Sequence, residues 1–140
     1  MHLTEGKYRI KNVKTSTALD ETIDDSHLIH GWQQTNADNQ HWLIERPSKS
    51  PDCFTMKNLA SGLYAYVDGA YNGCQLRGSS DPTIWFLDLQ ADGSVSINYP
   101  HTDYLVELDN GNMDNGTIIH MSEKHLPGEP QQKWYFEQIN

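Results

Sequence analysis

Asp20, Trp32 and Asn39 bring a carboxylate, an indole and a carboxamide together in the first third of the chain, with Gly31 beside the indole. A fixed carboxylate accepts charge-assisted hydrogen bonds from neighbouring hydroxyls, and a carboxamide donates to one oxygen while accepting from another. An indole offers a flat apolar platform whose polarised π face suits weakly positive C–H hydrogens. Hydroxyls side by side on one edge and a C–H patch on one face describe a hexose, so the three side chains are a minimal kit for holding one saccharide. Gly31 would let backbone approach such a ligand closely, and it serves a turn or bulge equally well.

These residues stand out because they break a repeat. "KYRIKNVKTSTALD" closing with "NQHWLIE" is followed by "CFTMKNLASGLYAY" closing with "TIWFLDL", then by "VSINYPHTDYLVEL" closing with "QQKWYFEQ". The closing tryptophans Trp42, Trp85 and Trp134 recur at near-even spacing, and the pair Lys11-Asn12 returns as Lys57-Asn58. Apolar residues alternate in short runs, as in Tyr8 and Ile10, Phe54 and Met56, or Val95 and Ile97, which is the period of half-buried strands. Turn formers such as "DGAYNG", "ADGS" and "DNGNMDNG" separate the runs, and no window sustains a helical period. About four strands per segment predict an all-β single domain over residues 1–140, with pseudo-threefold repeats near 1–46, 47–92 and 93–140.

The closing tryptophans are expected in a core layer. Gln40 and Gln132 stand two places before them, where a side-chain amide can satisfy backbone groups left open at strand ends; the second repeat has Thr83 there. Trp32 has no counterpart: Ser79 and Ser122 take its place. Asp20 aligns with Tyr66 and, in the third repeat, most nearly with Val106, while Asn39 aligns with Pro82 and Gln131.

A net charge of −9, from 19 acidic and 10 basic side chains, and the lack of a Lys/Arg cluster argue against a nucleic-acid partner. No apolar run suits a signal peptide or a membrane helix, so a soluble, cytoplasmic protein without membrane insertion is expected. Cys53 and Cys74 read first as reduced packing thiols, with a bridge between them left open. His27, His30 and His41 form no metal-binding motif and read as solvated loop histidines. Asp24 and Asp25 read as turn residues rather than a glycosidase pair. No enzyme, metal or cofactor is therefore expected.

The Gln-x-Trp of "QHW" and "QQKW", with a degenerate "TIW", resembles the signature of ricin-B-like (R-type) lectins, particularly the small single-domain lectins of mushrooms. The resemblance covers the whole chain. It implies a β-trefoil, a six-stranded barrel closed at one end by three hairpins. It also implies a binding site in the first repeat, where Asp20, Trp32 and Asn39 match the family's positions. There the Asp and Asn would hold the 3- and 4-hydroxyls of galactose or N-acetylgalactosamine, with the aromatic beneath the ring. An axial 4-hydroxyl suits this arrangement better than the equatorial one of glucose. Extension toward lactose, N-acetyllactosamine or N,N′-diacetyllactosediamine would use nearby loops such as "DDSH", with Ser26 and His27. Repeats two and three are expected to lack the standard site; Asp109 would serve the third only if its loop shifts, and Ser122 gives no platform. Function and family together imply glycan partners, a homodimer and a role in fungal defence against nematodes and insects. A different class, the protease inhibitors, also uses β-trefoils, and "ERPSKSPDC" at 45–53 would be its inserting loop, or else a connector between repeats.

Overall fold

The computed structural model describes residues 2–140. The first repeat contains β1 (Gly6–Asn12), β2 (Ala18–Glu21), β3 (Ile29–Trp32) and β4 (His41–Glu45). The second contains β5 (Cys53–Asn58), β6 (Tyr64–Tyr66), β7 (Arg77–Ser79) and β8 (Trp85–Leu89), and the third β9 (Val95–Asn98), β10 (Tyr104–Leu108), β11 (Thr117–Glu123) and β12 (Trp134–Gln138). Strands β1, β4, β5, β8, β9 and β12 pair in that order, and β12 returns to β1, so the ring is closed. Closure removes the free edges at which open sheets aggregate. Hairpins β2–β3, β6–β7 and β10–β11 cap one end, joined to each other by β11–β3 pairing and by bridges Leu28–Arg77 and Gln75–His120. The architecture is the β-trefoil that the repeats predict.

Alternation explains the interior. Tyr8, Ile10 and Asn12 point inward from β1, and Ile44, Phe54, Met56, Leu87 and Ile97 fill the barrel with no more than 1 % exposure among the last five. The closing tryptophans are fully buried, and each indole N–H donates to a cap strand: Trp42 to Leu19 O at 2.9 Å, Trp85 to Ala65 O at 3.2 Å, and Trp134 to Val106 O at 3.1 Å. Each tryptophan thus adds apolar burial and a hydrogen bond tying barrel to cap. Cys53 and Cys74 are both free thiols, the latter within the core. Residues 45–53 connect β4 to β5, with the Arg46 guanidinium donating to Leu3 O and Pro51 O and lying over the Phe54 ring, so the segment is a tied-down connector.

The indole bonds also fix the register between repeats. Leu19, Ala65 and Val106 are equivalent, so the residue matching Asp20 is Tyr66 in the second repeat but Glu107, not Val106, in the third. The cause lies at the preceding turn. Asn12 and Asn58 donate their backbone N–H to Thr17 O and Leu63 O, and in the third repeat Tyr99 makes the same bond, to Tyr104 O. A tyrosine stands where the other repeats have asparagine, and the lost landmark displaces the sequence alignment by one place.

Candidate functional site

The site is built on the first cap hairpin and the short 3-10 turn Asp38–Gln40 that leads into β4. Cross-strand pairing sets Asp20 on β2 opposite His30 on β3. Two residues on, Trp32 emerges from the same strand face, as the period of a strand requires. Asn39 arrives from the 3-10 turn. These four side chains line one cavity of about 580 Å³, with Thr22, Ile23 and Thr35 on its rim.

Each group is held. Asp20 is only 5 % exposed; its Oδ1 lies 2.7 Å from His30 Nε2, and its Oδ2 accepts from Gln40 Nε2 at 2.9 Å. Gln40 is fully buried, its Oε1 accepting from Thr35 N at 2.8 Å and its Nε2 also donating to Gln33 O at 2.9 Å. The Gln of Gln-x-Trp thus closes the strand end, as expected, and in addition clamps the carboxylate. The imidazole of His30 stacks on the indole of Trp32, with ring centroids 5.2 Å apart. Asn39 donates through Nδ2 to Glu21 O at 3.1 Å, which leaves its Oδ1 as an acceptor. Trp32 itself is partly exposed, and its indole forms a wall of the cavity. The result is a rigid carboxylate, a rigid amide and an aromatic face around an open space, the preorganisation that a weak polar ligand needs.

Gly31 does not line this cavity. It is buried between β2 and β11, and a Cβ there would come within 2.8 Å of Leu108 Cδ1 and 3.3 Å of Thr17 Oγ1, so the glycine serves strand packing rather than ligand approach. His30, expected as a solvated loop residue, belongs to the site; the strand period of His30 and Trp32 was the signal available for it. His41 is likewise a strand residue, its Nδ1 at 3.0 Å from Asp38 Oδ1. Asp24 is a turn residue as expected: hydrogen bonds from Ser26 and Thr22 hold its carboxyl below the usual aspartate range. Those bonds also engage the Ser26 hydroxyl within its own loop.

The other two repeats diverge unequally. In the second, Arg77 stands opposite Tyr66, its guanidinium 5.0 Å from that ring and 2.9 Å from Asp68, and Ser79 and Pro82 replace the indole and carboxamide. In the third, Gln132 Nε2 donates to Glu107 Oε1 at 2.9 Å, and His120 lies 3.7 Å from Glu107 Oε2 and 3.0 Å from Asp109 Oδ1. The clamped carboxylate and its histidine are therefore repeated there, while Ser122 and Gln131 replace Trp32 and Asn39. Among the described residues no group of three His, Cys, Asp or Glu side chains is arranged to hold a metal ion.

Comparison with known proteins bears on the fold and the family. The model of the ricin-type β-trefoil lectin domain-like family matches residues 2–69 and 38–122. The agglutinin of Rhizoctonia solani superposes with a TM-score of 0.89 at 26 % identity, covering 99 % of each chain. The ricin B-like lectin of Macrolepiota procera, solved in complex with lactose, superposes at 0.87 and 25 % identity over 99 % of this chain and all of its own. The Polyporus squamosus lectin, bound to a sialylated epitope, shares the fold at a TM-score of 0.81 and 22 % identity, this chain spanning 51 % of its length. No curated protein sequence matches the chain. The two family matches together cover most of the chain, and the chain belongs to the ricin-type β-trefoil lectin family.

Proposed function

We propose that the protein is a lectin that binds glycans ending in galactose or N-acetylgalactosamine, through one site in its first repeat. The observation that carries this reading is the convergence of Asp20, Trp32 and Asn39 on one cavity, with His30 and Gln40 fixing the carboxylate. Asp20 and the Asn39 amide take the vicinal 3- and 4-hydroxyls, and the sugar's C–H face rests on Trp32. The lactose bound by the Macrolepiota relative, which ends in galactose, supports the same ligand class here. We read the protein as a binder rather than a catalyst: the second carboxyl of the cavity, Asp24, is engaged by Thr22 and Ser26 within its own turn.

A monosaccharide exchanges good hydrogen bonds to water for those of the site, so affinity for it falls at about −4 to −6 kcal/mol, in the millimolar to high-micromolar range. One site cannot crosslink, and a symmetric homodimer supplies the second. Such a dimer, held in the cytoplasm until a grazing nematode or insect ingests it, fits a role in defence. Sedimentation at micromolar concentration tests the dimer; a monomer there refutes it.

The functional test is a glycan array with wild type beside Trp32→Ala, circular dichroism confirming that both fold. Terminal galactose and N-acetylgalactosamine signals lost in the variant are expected. Signals that survive the substitution move the site elsewhere, and silence from the wild type rejects the lectin reading.

A further inference from the structure

Strand β3 ends at Trp32. On one side Trp32 still pairs with Ala18 of β2; on the other, pairing with β11 stops at Gly31, opposite Thr117. Two residues of the third repeat carry that contact one step further. Gly116 N donates to Gly31 O at 2.8 Å, and Asn115 Oδ1 accepts from Gln33 N at 2.7 Å. A side-chain oxygen thus stands where a neighbouring strand would offer a carbonyl. The Gln33 peptide is held from its other end as well, its O accepting from Gln40 Nε2 at 2.9 Å. The backbone on both sides of Trp32 is therefore fixed. The same turn borders the indole: a Cβ added at Gly116, whose φ is +90°, would stand 4.0 Å from Trp32 Cζ3.

The same device recurs at the third cap hairpin. Asn72 Oδ1 accepts from Glu123 N at 2.9 Å, and Gly73 N donates to Met121 O at 2.9 Å. An Asn-Gly turn of the second repeat thus holds the end of β11 as Asn115-Gly116 holds the end of β3. The residue between the two bonds is Ser122 there, which offers no platform, and Trp32 here. A bond that serves strand ends in general acquires a second use where the strand ends in an indole. Trp32 is partly exposed and leads into the irregular segment 33–37, so without an anchor at Gln33 the ligand would have to order the indole itself. Asn115 does not line the cavity, so whatever it contributes to binding passes through Trp32. We propose that Asn115 is a positioning residue of the sugar site, lent by the third repeat, which holds the Trp32 indole in place beneath the sugar ring without touching that ring; the inference rests on the first cavity holding the sugar.

Lactose titration followed by NMR tests it on wild type, Asn115→Ala, Asn115→Asp and Asn72→Ala, with acrylamide quenching of tryptophan fluorescence on the same proteins. Trp42, Trp85 and Trp134 are fully buried, so quenching reports Trp32. Asn115→Ala is expected to weaken lactose binding about fivefold, the cost of ordering one side chain on binding, and to raise the quenching of Trp32. Asn115→Asp keeps the acceptor oxygen and is expected to bind and quench as wild type does. Asn72→Ala removes the matching bond of the third repeat and is expected to leave lactose affinity unchanged. Should Asn115→Ala fail to fold, Asn115→Gln, whose longer side chain displaces the oxygen, takes its place. Wild-type affinity or wild-type quenching in that variant overturns the positioning role and leaves the cavity standing. So does a failure of Asn115→Asp to restore binding, or an equal loss of affinity in Asn72→Ala. No lactose binding by the wild type overturns the sugar site itself, and this inference with it.

Discussion

Replacing Asp20 by alanine separates the support of the site from its use. The carboxylate receives Gln40 Nε2 at 2.9 Å and faces His30 Nε2 at 2.7 Å, so the substitution removes two partners at once. Gln40 retains Gln33 O, and His30, whose side chain is 16 % exposed, regains water. The net loss is therefore close to a single hydrogen bond to a charged group, about 2 kcal/mol, which lowers Tm by about 6 °C in a domain of this size. The carboxylate faces inward to this clamp as well as outward to the cavity, so a fall in stability accompanies the loss of binding. Sugar affinity loses a charge-assisted contact of about 2 kcal/mol from a total of only about −5 kcal/mol, which puts methyl β-galactoside beyond calorimetric detection. Differential scanning calorimetry and titration on the same preparation read both effects. Retained binding refutes the site. Lost binding at an unchanged Tm refutes the clamp.

Trp42→Ala removes a fully buried indole and leaves Leu19 O without its donor, so urea titration is expected to show a loss of about 3 to 5 kcal/mol or no folded state; a variant as stable as wild type contradicts the barrel-to-cap tie. Gly31→Ala brings a methyl against Leu108 and is expected to cost about 1 to 2 kcal/mol with galactoside affinity unchanged, whereas lost affinity at constant Tm would return Gly31 to the ligand. Burial raises the folded-state pKa of Glu21, so this group's contribution to stability is complete below about pH 4.5 and declines as pH rises through the raised value. Glu21→Gln should therefore gain on wild type in Tm as pH rises above about 4.5, and parallel curves would refute the raised pKa.

Much of the fold was legible because a repeat writes the same constraint three times. Trp42, Trp85 and Trp134 announced the core, and period-two runs announced the barrel strands. The Asp20, Trp32 and Asn39 set was legible as the three places where symmetry failed. What escaped were contacts made across strands. His30 lies opposite Asp20 only once β2 and β3 pair, and the role of Gly31 depends on Leu108, from the third repeat. Glu107 was hidden by the exchange of asparagine for Tyr99 at the turn before it. Glu21 follows Asp20 in the chain, but the wall that Asn58, Ala60 and Ser61 set opposite it comes from another repeat.

The clamp of glutamine on carboxylate in the third repeat has a consequence for how such a chain changes its valency. Gln132 is needed to close a strand end, accepting from His125 N while donating to Glu123 O, and Glu107 satisfies the same amide. Selection for folding alone therefore preserves the polar half of a sugar site, whether or not a sugar ever binds there. Ser122 and Gln131 at the rim, and Glu107 in place of Asp20, separate it from the arrangement of the first repeat. With the site as proposed, the number of ligands per chain rests on a few replaceable side chains above a foundation maintained for another reason, so it can rise or fall while the scaffold stays in place.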